Sequence, residues 1–86
     1  MKINIPTPLR SYSGGSAQVS LSAPTLGALL RELDARFPGM RFRIIDEQDG
    51  IRPHIKLFVN TELVGDLNRS LAERDEVHII CALSGG

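Results

Sequence analysis

Little in this chain would serve an enzyme acting alone. One cysteine in 86 residues excludes an internal disulfide and any four-cysteine zinc or iron–sulfur site, and it fits a reducing compartment. Charge of one sign is missing too. Ten basic and ten acidic residues cancel, so no global field draws in nucleic acid or an anionic membrane. No apolar run approaches membrane-spanning length, and Met1-Lys2-Ile3-Asn4-Ile5-Pro6 lacks the apolar stretch of a leader. The expectation is a soluble, cytoplasmic protein. A chain this short buries only about two-thirds of its unfolded surface, which leaves little room for a deep private cleft.

What is present reads as one small globular domain over residues 1–86, with a flexible tail at 83–86. Ile3 and Ile5 alternate with Lys2 and Asn4 as a first strand that Pro6 and Pro8 end or push to a sheet edge, Leu9 being a candidate continuation. Ser13-Gly14-Gly15-Ser16 is a turn, matching neither a P-loop nor a dinucleotide fingerprint, and Val19 and Leu21 form the returning strand. Thr25 is the expected N-cap of the one clear helix. Leu26, Leu29, Leu30, Leu33 and Phe37 make its apolar stripe, and Pro38-Gly39 stops it.

Met40 to Pro53 reads as a solvated connection with a few packed apolar residues: Arg41, Arg43 and Arg52 flank Phe42, Ile44 and Ile45, and acidic residues follow. Ile55, Leu57 and Val59 alternate as a strand, Asn60-Thr61 turns it into Glu62-Leu63-Val64, and 65–71 is a loop with room for one helical turn. Val77, Ile79 and Cys81 share one face of a final strand, with His78, Ile80 and Ala82 on the other. The order predicts an α+β roll, a mixed sheet of four to five strands on one main helix.

His54 and His78 alternate with core positions and should face solvent, with no partner at metal-ligand spacing; no metal site is expected. Cys81 has no activating neighbour in sequence and reads as a small hydrophobe. The C-terminus reads differently. Leu83-Ser84-Gly85-Gly86 ends on a carboxylate that no side chain obstructs, and Ser84 to Gly86, extended, reach on the order of 10 Å beyond the fold. Such a carboxylate can be activated by ATP to an acyl adenylate and captured by sulfur as a thiocarboxylate or thioester. A frayed end without purpose is the bland alternative.

The helix entry Pro24-Thr25-Leu26-Gly27-Ala28-Leu29-Leu30, the strand turn Phe58-Val59-Asn60-Thr61-Glu62-Leu63-Val64, the closing run Asp75-Glu76-Val77-His78-Ile79 and the terminal Gly85-Gly86 are, taken together, similar to the MoaD/ThiS family of ubiquitin-like sulfur carriers. Pro6-Thr7-Pro8-Leu9-Arg10 and Ser13-Gly14-Gly15 most resemble the carrier that feeds an O-phosphoserine-dependent cysteine synthase. The resemblance implies a β-grasp fold and a sulfur-donating co-substrate with no bound cofactor. An E1-like partner uses ATP to adenylate Gly86, a sulfur donor converts it to the thiocarboxylate, and an acceptor enzyme receives the tail.

In that role Gly86 carries the sulfur, Gly85 is the thin approach, and Leu83 and Ser84 line the acceptor channel. In a β-grasp sheet, Phe58, His78 and Ile80 should form an apolar partner-binding patch on the open face. Cysteine biosynthesis leads. The small subunit of molybdopterin synthase, carriers for tRNA or thiazole thiolation, a ubiquitin-like modifier and an inert interaction module are the alternatives.

Overall fold

The structure, a computed structural model, describes residues 1–82. Strand β1 (Lys2–Asn4) pairs antiparallel with β2 (Gln18–Ser20) through Ile3 and Val19, so the first hairpin forms as its alternation predicts. The chain between them departs from expectation. Leu9 does not extend β1: Thr7–Leu9 is a single 3-10 turn that buries Leu9 in the core. Pro6 starts this turn because it has no N–H to continue a ladder. Nor does Pro6 leave β1 at a sheet edge, since β1 lies between two strands. Gly14 and Gly15 supply the positive φ values of the tip (66° and 88°), and the buried Ser13 hydroxyl closes it on the Ser16 carbonyl at 2.8 Å.

Helix α1 (Leu26–Arg36) starts where the sequence says it should, the Ala28 N–H donating to Thr25 Oγ1 at 3.2 Å. Leu26, Leu29, Leu30 and Leu33 are fully buried, and Phe37 is half-buried at the end of the stripe. Residues 65–71 contain no helical turn. They cross the start of α1 instead, the Gly27 N–H donating to Leu67 O (2.8 Å) and the Leu26 N–H to Arg69 O (3.0 Å), which satisfies amides that a helix leaves free. A Cβ at Gly27 would lie 3.1 Å from Leu67 O, so a side chain there would push the crossing segment back by a few tenths of an ångström.

The segment after Pro38-Gly39 is a correction. It is a second helix, α2 (Met40–Ile44), and Met40, Ile44 and Ile45 are fully buried. Asp34 of α1 makes the restart possible: its Oδ1 accepts from the Gly39 N–H at 3.1 Å and the Arg41 N–H at 3.0 Å. Of the apolar residues of α2, Phe42 faces outward, with the Arg52 guanidinium 4.6 Å above its ring.

Strand β3 (Ile55–Val59) turns at Asn60, φ 57°, into β4 (Glu62–Val64). Strand β5 (Glu76–Cys81) then enters between β1 and β3, parallel to the first and antiparallel to the second. The five-stranded sheet has the order β2-β1-β5-β3-β4. Its inner face and the buried sides of α1 and α2 form one hydrophobic cluster, the expected α+β roll. Among the described residues no helix is long and apolar enough to cross a membrane.

Candidate functional site

The terminus expected to be reactive follows β5 in the sequence, and β5 is the middle strand of the sheet. Val77 and Ile79 point into the core and fix its register against Ile3, Leu57 and Val59. Among the described residues, the last backbone group held is the Ala82 N–H, which donates to His54 O at 2.7 Å. Leu83, Ser84, Gly85 and Gly86, the expected tail and its reactive end, lie outside the described residues. The site that can be built is therefore the platform from which they depart.

Its outer face follows from strand register. Gln18, Asn4, His78, Phe58 and Leu63 are successive cross-strand partners, one from each strand, and form a row over the whole sheet. Ile80 and Lys56 make the next row toward the tail, and Lys2 with Glu76 the row before. Phe58, His78 and Ile80 are thus brought together as neighbours on the open face. Leu63 joins them next to Phe58; it is 59% exposed, and Ile80, across β3 from it, 46%. Its signal was available: Val64 is the inward residue of β4, so Leu63 must point outward and meet Phe58.

The patch is not uniformly apolar, because His78 is less free than its alternation suggests. It is half-buried, and its Nδ1 lies 3.0 Å from Asn4 Nδ2. Gln18 donates to Asn4 Oδ1 (2.8 Å), and Asn4 Nδ2 also donates to Glu76 Oε2 (2.7 Å), which fixes the amide with its nitrogen toward His78. His78 Nδ1 is thereby placed to accept from Asn4, and Nε2 lies 4.0 Å from Glu76 Oε2. The face accordingly has an apolar half, Phe58, Leu63 and Ile80, and a hydrogen-bonded half, Gln18, Asn4 and Glu76. His78 is the seam. His54, by contrast, is exposed as expected, and Cys81 is half-buried against the core.

The far end of β5 is held by an Asx clasp. Asn60 Nδ2 donates to Asp75 Oδ1 (3.0 Å), and the Glu76 N–H donates to Asn60 Oδ1 (3.0 Å). Asp75 Oδ2 accepts from the Ala72 N–H at 2.8 Å. That amide, then the Asn60 side chain, holds the Asp75 carboxyl below its ordinary pKa. Among the described residues no cluster of His, Cys, Asp and Glu could hold a metal ion.

Comparison with known proteins decides the family, the ThiS family model matching residues 3–86. The chain belongs to the ThiS family of ubiquitin-like sulfur carriers. Sulfur carriers of this kind are small substrate carriers and not catalysts. A sulfur carrier protein, CysO, of Mycobacterium tuberculosis is 37% identical over 89 residues, covering 98% of this chain and 96% of its own. The crystal structure of that organism's CysO superposes with a TM-score of 0.88 at 34% identity, covering 95% of this chain and 98% of the other. A chain of the BexX/CysO complex of Amycolatopsis orientalis gives 0.91 at 28% identity, covering 99% and 98%. The β-grasp expectation holds, with α2 as an addition to the one main helix.

Proposed function

We propose that this chain carries sulfur on Gly86 for cysteine biosynthesis. The observation that carries the reading is the near full-length match to a CysO sulfur carrier, joined to the placement of the terminus on the middle strand of the sheet. In this reading a carboxylate oxygen of Gly86 attacks the α-phosphorus of ATP on an E1-like partner, and pyrophosphate leaves. Hydrogen sulfide, or a donor's persulfide with a reductant, then displaces AMP and leaves a thiocarboxylate. The tail enters an acceptor enzyme, where the thiocarboxylate sulfur attacks an electrophilic carbon of that enzyme's substrate. Hydrolysis of the resulting acyl–sulfur link would return the Gly86 carboxylate for another round. ATP is consumed by the partner, so this chain holds no cofactor of its own.

Gly85 keeps the approach narrow, Leu83 and Ser84 contact the channel, and Phe58, His78 and Ile80, with Leu63, dock the folded body against the partner. Exposed aromatic and aliphatic side chains in a contiguous group suit such a surface. The test is intact mass after incubation with extract of the source cells, ATP and sulfide. Replacement of one oxygen by sulfur, absent from a chain lacking Gly86, is the expected result. Ladders of heavier conjugates would instead favour a modifier, a reading to which the likeness to SAMP1 of Haloferax volcanii gives some weight (TM-score 0.79, 25% identity, covering 100% of this chain and 98% of the other). A molybdopterin-synthase subunit would instead appear as a stable hetero-oligomer.

A further inference from the structure

β1 and β5 part company early. Their parallel pairing ends at Asn4 and His78, while β5 continues to Cys81 along β3 alone. Two backbone hydrogen bonds fix which groups face the gap between them. The Ile5 N–H donates to Ala17 O at 2.8 Å, so odd residues of β1 face β2 and even ones face β5. The Ala82 N–H donates to His54 O, so even residues of β5 face β3 and odd ones face β1. In this register the next donor to β5 would be the N–H of residue 6, which is proline. Among the described residues the Ile79 carbonyl and the Cys81 N–H therefore have no ladder partner on that side. They open into a groove of about 550 Å³ between β5 and the 3-10 turn. Arg10 lines the groove; its Nε donates to Ile5 O at 3.1 Å, and it has no acidic partner among the described residues.

We propose that this groove takes an extended, acidic segment of the protein that receives the tail, added as a parallel strand against Ile79–Cys81. The pair left open is a carbonyl at one residue and an N–H two residues on. One residue of a parallel strand satisfies both with its own N–H and C=O. The occupant is acidic because Arg10 overlooks the groove and Lys56 lies beside Ile80 at the same end of the sheet. The groove lies at the end of β5, one residue before Ala82, the last described residue, so it is close to where a partner that admits the tail must sit. This inference rests on the reading that the terminus is delivered into another protein, and it adds how the partner grips the strand.

The probe is a blocked pentapeptide alternating valine and glutamate, titrated into the isotope-labelled full chain and followed by amide NMR. Saturable shifts centred on Ile79, Cys81 and the Arg10 side chain are expected, with the Cys81 amide proton moving downfield and its solvent exchange slowing. Replacing glutamate by glutamine in the peptide should weaken binding about fivefold or more. Cys81→Pro removes the one N–H while leaving the β3 ladder intact, and should weaken binding about fivefold or more, whereas Cys81→Ala should not. Shifts on the outer edges, β2 or β4, no saturable shift at all, or equal binding by folded Cys81→Pro and Cys81→Ala would overturn the proposal. If Cys81→Pro fails to fold, the Cys81 amide of the unaltered chain decides alone. Sulfur loading on Gly86 is read separately by mass, so failure here leaves the carrier reading standing, and failure of loading is recognised without the peptide.

Discussion

Replacing Asn60 tests how the turn between β3 and β4 organises the start of β5. Two physical effects meet at this residue. Its backbone sits at φ 57°, a region asparagine tolerates and alanine does not. Its side chain makes two hydrogen bonds at 3.0 Å, to the Asp75 carboxylate and from the Glu76 N–H. Both bonds are exposed, so each contributes about 0.5 kcal/mol, the low end of the usual range. Asn60→Gly loses the bonds and keeps the backbone, at about 1 kcal/mol. Asn60→Ala loses both and should cost about 2 kcal/mol, since alanine at positive φ is worse than glycine by about 1 kcal/mol. With a urea m-value of roughly 1 kcal/mol/M for a domain of this size, the midpoints should fall by about 1 M and 2 M. Equal midpoints for the two variants would refute the backbone argument. A glycine variant as stable as the parent would refute the clasp.

Three further outcomes follow from the same geometry. Ile44→Ala should cost about 2–5 kcal/mol in urea denaturation, because Ile44 is fully buried on α2; a loss below about 0.5 kcal/mol would return this segment to a solvated connection. Asp75 is held below the ordinary carboxylate pKa, so its contribution is complete above the unfolded value and is lost as pH falls through the lowered one. Stability of Asp75→Asn should therefore lie below the parent near neutral pH and converge with it in acid, and a constant gap between the two curves would refute the assignment. Glu substituted at Ile80 or Leu63, both exposed, should leave the midpoint within about 0.5 kcal/mol while slowing sulfur loading of Gly86 in extract; unchanged loading by the double variant would remove these residues from the docking face.

Elements whose information is local were legible. Ile55, Leu57 and Val59 alternate into a buried strand face, and the leucines of α1 recur at helical spacing behind a threonine cap. What stayed hidden depends on partners far away in the chain. Helix α2 has five residues, too few for periodicity, and its start is capped by Asp34 from the preceding helix. Arginines around Phe42 suggested solvent, yet Met40 and Ile44, four apart, turn the same face inward. At the site, Phe58, His78 and Ile80 were recoverable from alternation plus the order of strands. The polar half was not, because Asn4 reaches His78 only when β1 lies parallel to β5, a pairing between residues 74 apart. Leu63 was within reach through the two-residue turn but needed the register of β4 to place it opposite Phe58.

The choice of the middle strand as the route to the terminus has a mechanical consequence that hydrogen exchange can read. A partner that draws in the tail pulls along β5, and in a sheet that load is shared by the ladders on both flanks. From Glu76 to His78 both flanks are in place; beyond His78 only β3 remains. Val77 and Ile79 donate toward β1 and His78 and Ile80 toward β3, all inside the sheet, so these amides should exchange only through global unfolding. Val19 on β2 and Val64 on β4 are paired on outer strands and should exchange about tenfold faster or more, through local fraying. Cys81, with no ladder acceptor, should exchange faster still in the free chain. If Val77 and Ile79 exchanged as fast as Val19 and Val64, β5 would be no firmer than the strands at the edges. Its central position would then not serve to hold the body together while the terminus is drawn into the partner.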